Sequence, residues 1–510
     1  MSVSLAWQPD NFCGLTPHQL EVLYEPIILE CALREVGPLP TYSHESQSTE
    51  KYEAEMPDLK AFQFYVNKLA QVCDNERGGN TISALAILQG SLGPHYVFGS
   101  NRKDARGLKT TKSFVQVLLD LVGKNPENLQ NGALVKRVLW LILAFNLPRL
   151  AEYLTHLSAA VQECLESCKR KKEDETSEPT QSLLSLLDKC EFNINFSKSN
   201  TENKSISDCE TLIKAIINLE QADIHTMISQ RAKDAEMTRS EPWCKLRHFL
   251  GRWLSYRKAA LAIVAVSERW PELFLDFEIT MVPSGSRLPN PILRSDLTSA
   301  IIVQNIAAQE KSQDSQLLQG TEGLEQIGID DIIRASQTSR NFRPLLHAEV
   351  LVYEHLSKSG QTAVECYWNR WNYIGSSKPT CRLCHYYFEA LQEDKPGVRP
   401  THNNLYRNWR LPECDNDESL GIAQDELLNK LAQRLRTDVI ETLKEKKTGR
   451  KARDSNTYSS FPDILRKDDN SSVSINSPDR DSTASTDKQD ESTVPLEDAT
   501  GTMNLGDSYK

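Results

Sequence analysis

The stretches PLLHAEVLVYEHL (344–356) and WNYIGSSKPTCRLCHYYFEAL (371–391) set a His-x-Glu before a Cys-x-x-Cys, with 34 positions between His347 and Cys381. Val350, Leu351, Tyr353 and His355 recur as on a buried helix over His347–Leu356. Trp371–Gly375 reads as a short strand, and Pro379 and Thr380 mark the start of a second helix, Cys381–Leu391. The order is therefore helix, strand, turn, helix. Metal-ligand side chains stand at both helix starts, where the helix dipoles favour thiolate and other anions.

One His and two Cys are the donors of a zinc site that keeps its fourth position for water. The metal lowers the pKa of that water so that hydroxide exists near neutral pH. A Glu two residues after the His is not a ligand but a proton carrier, from the water to a ring nitrogen and then to a leaving amine. On this reading His347, Cys381 and Cys384 hold zinc and Glu349 is the catalytic acid/base. Taken alone, His347 would be read as a core histidine and the cysteines as a redox pair or a structural zinc site. A redox pair has no use for His-Ala-Glu upstream. A structural zinc needs a fourth protein ligand, for which His385, His402, Cys366 and Cys414 are the donors at hand.

A third segment, THNNLYRNWRLP (401–412), follows. Together the three segments resemble the fungal, OTT-type deaminase family of the cytidine deaminase-like superfamily. The shared pattern is His-Ala-Glu on a helix, YIG-S-K-x-x-C-x-x-C on a strand and turn, and a downstream His and Tyr-x-x-Trp. The resemblance covers about residues 275–412. It implies zinc ligation by His347, Cys381 and Cys384 with Glu349 as acid/base, and it names no particular base. One departure stands out: Thr380 separates Pro379 from Cys381, where the wider superfamily has Pro-Cys. In the third segment His402, Asn403, Tyr406 and Trp409 are candidates for holding a base by edge hydrogen bonds and stacking. The opposing reading is a surface loop with core aromatics.

The rest of the chain bounds the setting. The chain has 510 residues, 39% of them apolar, and a net charge of -11, which excludes a general nucleic-acid coat. Residues 331–412 run the other way, with eleven Lys/Arg against seven Asp/Glu, a balance that suits a phosphate-bearing substrate. No secretory signal opens the sequence. The longest apolar runs, Val138–Phe145 and Ala259–Val266, are too short for a membrane span. The twelve cysteines are scattered, as expected of free thiols in a reducing compartment.

The expected architecture is α+β and multi-domain. Residues 1–270 read as a mainly helical region, with Pro148 separating one helix from the next and solvated loops near 169–181 and 197–207. Residues 271–412 read as an α/β/α zinc domain that opens on a strand at Leu273–Val282. An amphipathic helix covers 421–447, and 448–510 reads as a disordered tail. The tail begins on the basic run Lys444–Arg453, which serves as a helix end or a nuclear import signal, and it carries a Ser477-Pro478 step.

The function expected is zinc-dependent hydrolytic deamination of a nucleobase in a nucleoside, nucleotide or nucleic acid, in the cytoplasm or nucleus and away from membranes. The alternative is an inactive, zinc-stabilised module whose helical N-terminal region binds protein partners.

Overall fold

The computed structural model describes residues 14–36, 57–171, 173, 176–194, 199–220, 222–233, 240–310, 321–391, 395–413, 418–445 and 462–465. In chain order, α1 (Pro17–Glu35) and α2 (Pro57–Cys73) precede a hairpin of β1 (Ser83–Gln89) and β2 (Pro94–Ser100). Then come α3 (Ala105–Lys124), α4 (Asn131–Arg170), α5 (Glu178–Asp188), α6 (Ser199–Glu220), α7 (Asp223–Lys233) and α8 (Glu241–Arg269). They are followed by β3 (Glu278–Met281), α9 (Ser299–Gln309), α10 (Thr321–Gln326), α11 (Ile329–Thr338) and α12 (Ala348–Lys358). The series ends with β4 (Tyr373–Ser376), α13 (Arg382–Ala390), β5 (Gly397–Val398) and α14 (Glu418–Glu445).

The strands form one mixed sheet in the order β3-β2-β1-β4-β5. Its centre is the β1–β2 hairpin, paired from Ser83↔Ser100 to Gln89↔Pro94 and closed by the turn in which Gly90 N–H reaches Gly93 O at 3.0 Å. Side chains alternate between the two faces of a strand. Leu85, Ile87, Tyr96 and Phe98 join one core, with α2 and the helices α3 to α8. Ala84, Ala86, Leu88 and Val97 join the other, with α1, α12, α13 and α14. The helices press closely on both faces. A Cβ on Gly99 would come within 2.9 Å of Val352 on α12, and one on Gly375 within 2.6 Å of Val66 on α2.

Two expectations about residues 1–270 need correction. Strands β1 and β2 lie inside that stretch, so the sheet does not begin at 271. The run Ala84–Leu88 is apolar throughout because both of its faces are covered, and such a strand shows no alternation to read. Residues 105–269 are thus a helical insertion between neighbouring strands, and one unit spans the chain to Arg466 without a break at 270. Nor does Pro148 mark a boundary between helices. It sits inside the 40-residue α4, whose buried face runs on from Leu143 and Leu147 to Leu150 and Leu154. Packing against α8 on either side offsets the one hydrogen bond the proline cannot make.

Smaller differences follow from helix ends. The segment 197–207 lies mostly in α6, whose polar first turns conceal the stripe of Ile206, Cys209, Ile213 and Ile216. Of 169–181, the first two residues close α4 and the last four open α5, and Glu173 between them pairs with Arg231 at 2.6 Å. The strand expected over Leu273–Val282 shrinks to β3 after a 3-10 turn at Pro271–Phe274. Helix α14 presents Leu428, Leu431, Leu435 and Val439 to the core, as its amphipathic pattern requires. Most of 448–510, including Ser477, lies outside the described residues, as does the basic run beyond Glu445. Within that tail Pro462–Leu465 is ordered, and Leu465 is buried against the helical core. Among the described residues no helix is long and apolar enough to cross a membrane.

A buried ion pair ties the helical insertion to the rest. Asp74, just after α2, meets Arg149 of α4 at 2.6 Å and accepts from Thr81 (2.7 Å) and from Ser377 beyond β4 (3.1 Å). Burial alone would raise the Asp74 pKa, but the Arg149 charge and hydrogen bond outweigh it and hold the carboxyl below its usual range. Removing one partner strands the other charge in the interior, so Asp74→Asn should cost about 3–5 kcal/mol at pH 7. Because the folded pKa is depressed, this contribution is complete above the unfolded value of about 3.9 and is lost as pH falls through the folded one. Urea unfolding at pH 7 and at pH 3 should show a large gap between wild type and variant that narrows in acid. A cost below about 1 kcal/mol at pH 7 would show that the pair is not structural.

Candidate metal centre

The site lies where α12 and α13 begin. His347 caps α12 in extended backbone, and its carbonyl accepts from Leu351 N–H at 2.8 Å. Cys381 caps α13, and its sulfur accepts from Cys384 N–H at 3.4 Å. Unlike Ser, Thr or Asp, neither residue is a common helix cap. Both place a side chain that could bind a metal at a helix N-terminus. His347 Nδ1 lies 3.4 Å from Cys381 Sγ and 3.4 Å from Cys384 Sγ, and the three donor atoms lie within 4.8 Å of one another. Among the described residues no fourth His, Cys, Asp or Glu joins them. His385 turns instead to Glu389 at 3.3 Å, and Cys414 lies outside the described residues.

Two connections hold the ligand turns in place. The first comes from the hairpin: Asn101, at the end of β2, accepts the Ala348 N–H at 2.8 Å and donates to Gly79 O at 3.0 Å. The second is the 401–411 segment, which runs as a strap from one turn to the other. Thr380 N–H reaches Pro400 O, His402 N–H reaches Thr380 O and Arg382 N–H reaches Asn404 O. At its far end Leu345 N–H reaches Asn408 O and Arg410 N–H reaches Leu345 O, two residues before His347. Thr380, the extra residue after Pro379, forms a parallel bridge with Thr401. It continues the β4–β5 pairing up to Cys381 and so presents that cysteine to the strap.

The residue between Pro-Thr-Cys and Leu-Cys is a buried clamp. The Arg382 guanidinium reaches Glu30 of α1 (3.1 Å), Asp438 of α14 (3.0 Å) and the Asn403 side-chain oxygen (2.9 Å). It locks the cysteine helix onto the outer helices and onto the strap.

The four residues proposed from sequence to hold a base divide accordingly. Asn403 has a left-handed backbone (φ 58°) and gives its oxygen to Arg382, so it serves the clamp. Trp409 is fully buried at 0% exposure beside Tyr387, which makes it a core residue and not a stacking platform. Its indole N–H has no regular hydrogen-bond partner but acts on the Cys384 sulfur in favour of the thiolate. Tyr406 stands beside the ligands, with its ring 6.4 Å from that of His347, and His402 packs edge-on to Tyr406 at 5.8 Å. His402 accepts the Asn404 N–H through Nδ1. Asn101, Ser376 and Arg382 were not anticipated; nothing local in the sequence marks Asn101, which is 247 positions from its partner.

Glu349 is 4% exposed in the first turn of α12. Burial first, and then the neighbouring Cys381 sulfur, push its carboxyl above the usual range, while His347 and the Ser376 hydroxyl pull the other way. Burial would also raise both thiols. At Cys381 it is overcome by hydrogen bonds from Cys384 and by the His347 charge, so that thiol falls well below its usual value. Cys384 is pushed well above it, by burial and by the adjacent Cys381.

Three donors that converge on one point, with a buried carboxyl and the half-buried Tyr406 beside them, can hold a metal ion next to an acid/base group. Residues 346–413 match the family described as OTT_1508-like deaminase. No curated protein and no solved structure matches the chain. The segment that carries all three metal-ligand side chains, Glu349 and the strap is thus similar to a deaminase family.

Proposed function

We propose that the chain is a zinc-dependent hydrolytic deaminase of a nucleobase amino group. The observation that carries this reading is the three-donor cluster with a buried Glu349 beside it and no fourth protein donor among the described residues. The dimensions support zinc. A tetrahedral ion at about 2.3 Å from sulfur and about 2.0–2.1 Å from nitrogen sets N···S distances of about 3.6 Å. The two found here are 3.4 Å. With three protein ligands, one position is left for a water or a substrate.

Bound zinc supplies a Lewis acid that makes water nucleophilic near neutral pH. The chain's own residues do the rest. Glu349, whose pKa burial raises, takes up a proton more readily than an exposed carboxylate and can deliver it to a ring nitrogen, then to the departing ammonia. Ser376, fully buried, donates its hydroxyl to Lys378 O at 2.6 Å and lowers the pKa of the Glu349 carboxyl. Tyr406, beside His347, and His402, packed against it, are the residues left to contact a base.

Metal binding should be stoichiometric, with about one zinc per chain, and Cys381→Ser should lose most of it. Cys384 must give up its raised proton on binding, so zinc affinity should climb as pH rises through the neutral range. Affinity that is flat with pH, or unchanged in Cys381→Ser, would remove the site. A second experiment reads ammonia release from nucleosides, nucleotides and single-stranded DNA and RNA. Glu349→Gln should keep its zinc and lose at least about 100-fold in rate, the usual scale of general acid–base catalysis. Equal inactivity of wild type and variant on every substrate would turn the assignment towards a zinc-stabilised binding module.

A further inference from the structure

Among the described residues, the exposed Arg102 and Arg343 and the half-buried Arg287, all on segments next to the His347 turn, form no ion pair with a carboxylate. Arg102 follows Asn101, the residue that holds the Ala348 N–H, and its own N–H donates to Asn80 O at 2.7 Å. Arg287 donates through Nη2 to the Asn80 side-chain oxygen at 3.3 Å, and the next residue, Leu288, donates its N–H to Pro344 O at 2.8 Å. Arg343 precedes Pro344 and stands four residues before His347, with its N–H on the Asn408 side chain at 2.9 Å. Three separate segments thus meet around Asn80 and Pro344. Each is tied within a few residues to the turn that carries His347 and Glu349.

Three of the four arginines buried among the described residues have a carboxylate partner, and the fourth, Arg252, has an Nε without an acceptor. Arg149 has Asp74, Arg382 has Glu30 and Asp438, and Arg410 has Glu413 at 2.9 Å. The buried Nε of Arg287 also has no acceptor among the described residues. Burial first, and then the charges of Arg102 and Arg343, lower the pKa of Arg287. Like charges gathered without a counter-charge are a cost that a bound anion removes, and planar guanidiniums match phosphate oxygens in pairs. The net charge of -11 makes this local concentration of positive charge the more selective.

We propose that Arg102, Arg287 and Arg343 form an anion subsite beside the turn that carries His347 and Glu349, which takes the phosphate of a nucleotide unit whose base enters the site. The base rests on the deaminase reading; the phosphate rests on the arginines alone. A free nucleotide and a strand offer the same phosphate chemistry, and the test separates them.

Calorimetry on the full-length, zinc-loaded protein should compare cytidine with CMP and adenosine with AMP, with inorganic phosphate as competitor. The phosphate should tighten binding by about tenfold or more, the scale of one charge-assisted hydrogen-bonded contact. Arg287→Gln and the exposed Arg102→Gln should each remove most of that gain, while Arg340→Gln, an exposed arginine nearby on the chain, should keep it. A labelled single-stranded 12-mer forms the second arm. If the strand is the source, its salt slope should fall by about 0.7 per arginine removed. Gain from phosphate in either arm, lost in the variants, supports the subsite. Equal affinity with and without phosphate in both arms, or a gain that survives Arg102→Gln and Arg287→Gln together, overturns it. Ammonia release from the nucleosides is read separately: if it is absent while phosphate binding follows the arginines, the deaminase reading fails and the subsite stands.

Discussion

Two helix N-termini have to meet at the end of one sheet, and most of the structure is arranged to make them. His347 and Cys381 each cap a helix, and their donor atoms come to 3.4 Å only if α12 and α13 start side by side. The strands determine where those starts fall. β2 delivers Asn101 to the first turn of α12, and β4 runs straight into the Ser377–Thr380 turn before α13. The strap from Thr401 to Leu411 then hydrogen-bonds to both turns. Small residues on the sheet face beneath, Ala84, Ala86 and Gly99, let α12 lie close enough for this to work.

The helical insertion serves the same end from the opposite face. It enters after β2, returns before β3 and covers Leu85, Ile87, Tyr96 and Phe98. Its Arg149 reaches through to Asp74, which also holds Ser377, four positions before the first cysteine. The buried pairs Arg149–Asp74 and Arg382–Glu30 therefore fix the cysteine turn from two sides. Such pairs gain little net energy over apolar packing, but they restrict geometry, and geometry is what a three-ligand centre requires.

The chemistry of the site was more legible in the sequence than the fold around it. His-Ala-Glu and Cys-Arg-Leu-Cys carry their own spacing, and helix starts can be read from Pro379 and from the periodicity of Val350, Leu351 and Tyr353. The central hairpin was not legible, because Ala84–Leu88 is covered on both faces and built of residues that also favour helices. The turn Gly90–Gly93 was its one local signal. Asn403 and Trp409 had the residue types of a base-binding segment, and only tertiary contacts show that one serves a clamp and the other the core. The arginine cluster was legible only as a small local charge excess, since Arg102 and Arg287 lie outside the segment that showed it.

The proposed metal centre has three protein ligands and one open position. X-ray absorption at the zinc edge of the loaded protein tests that directly. The account expects two sulfurs at about 2.3 Å and two nitrogen or oxygen neighbours at about 2.0–2.1 Å, with one sulfur lost in Cys381→Ser. A third sulfur in the first shell, from Cys414 or another thiol, or a shell without sulfur, would contradict it.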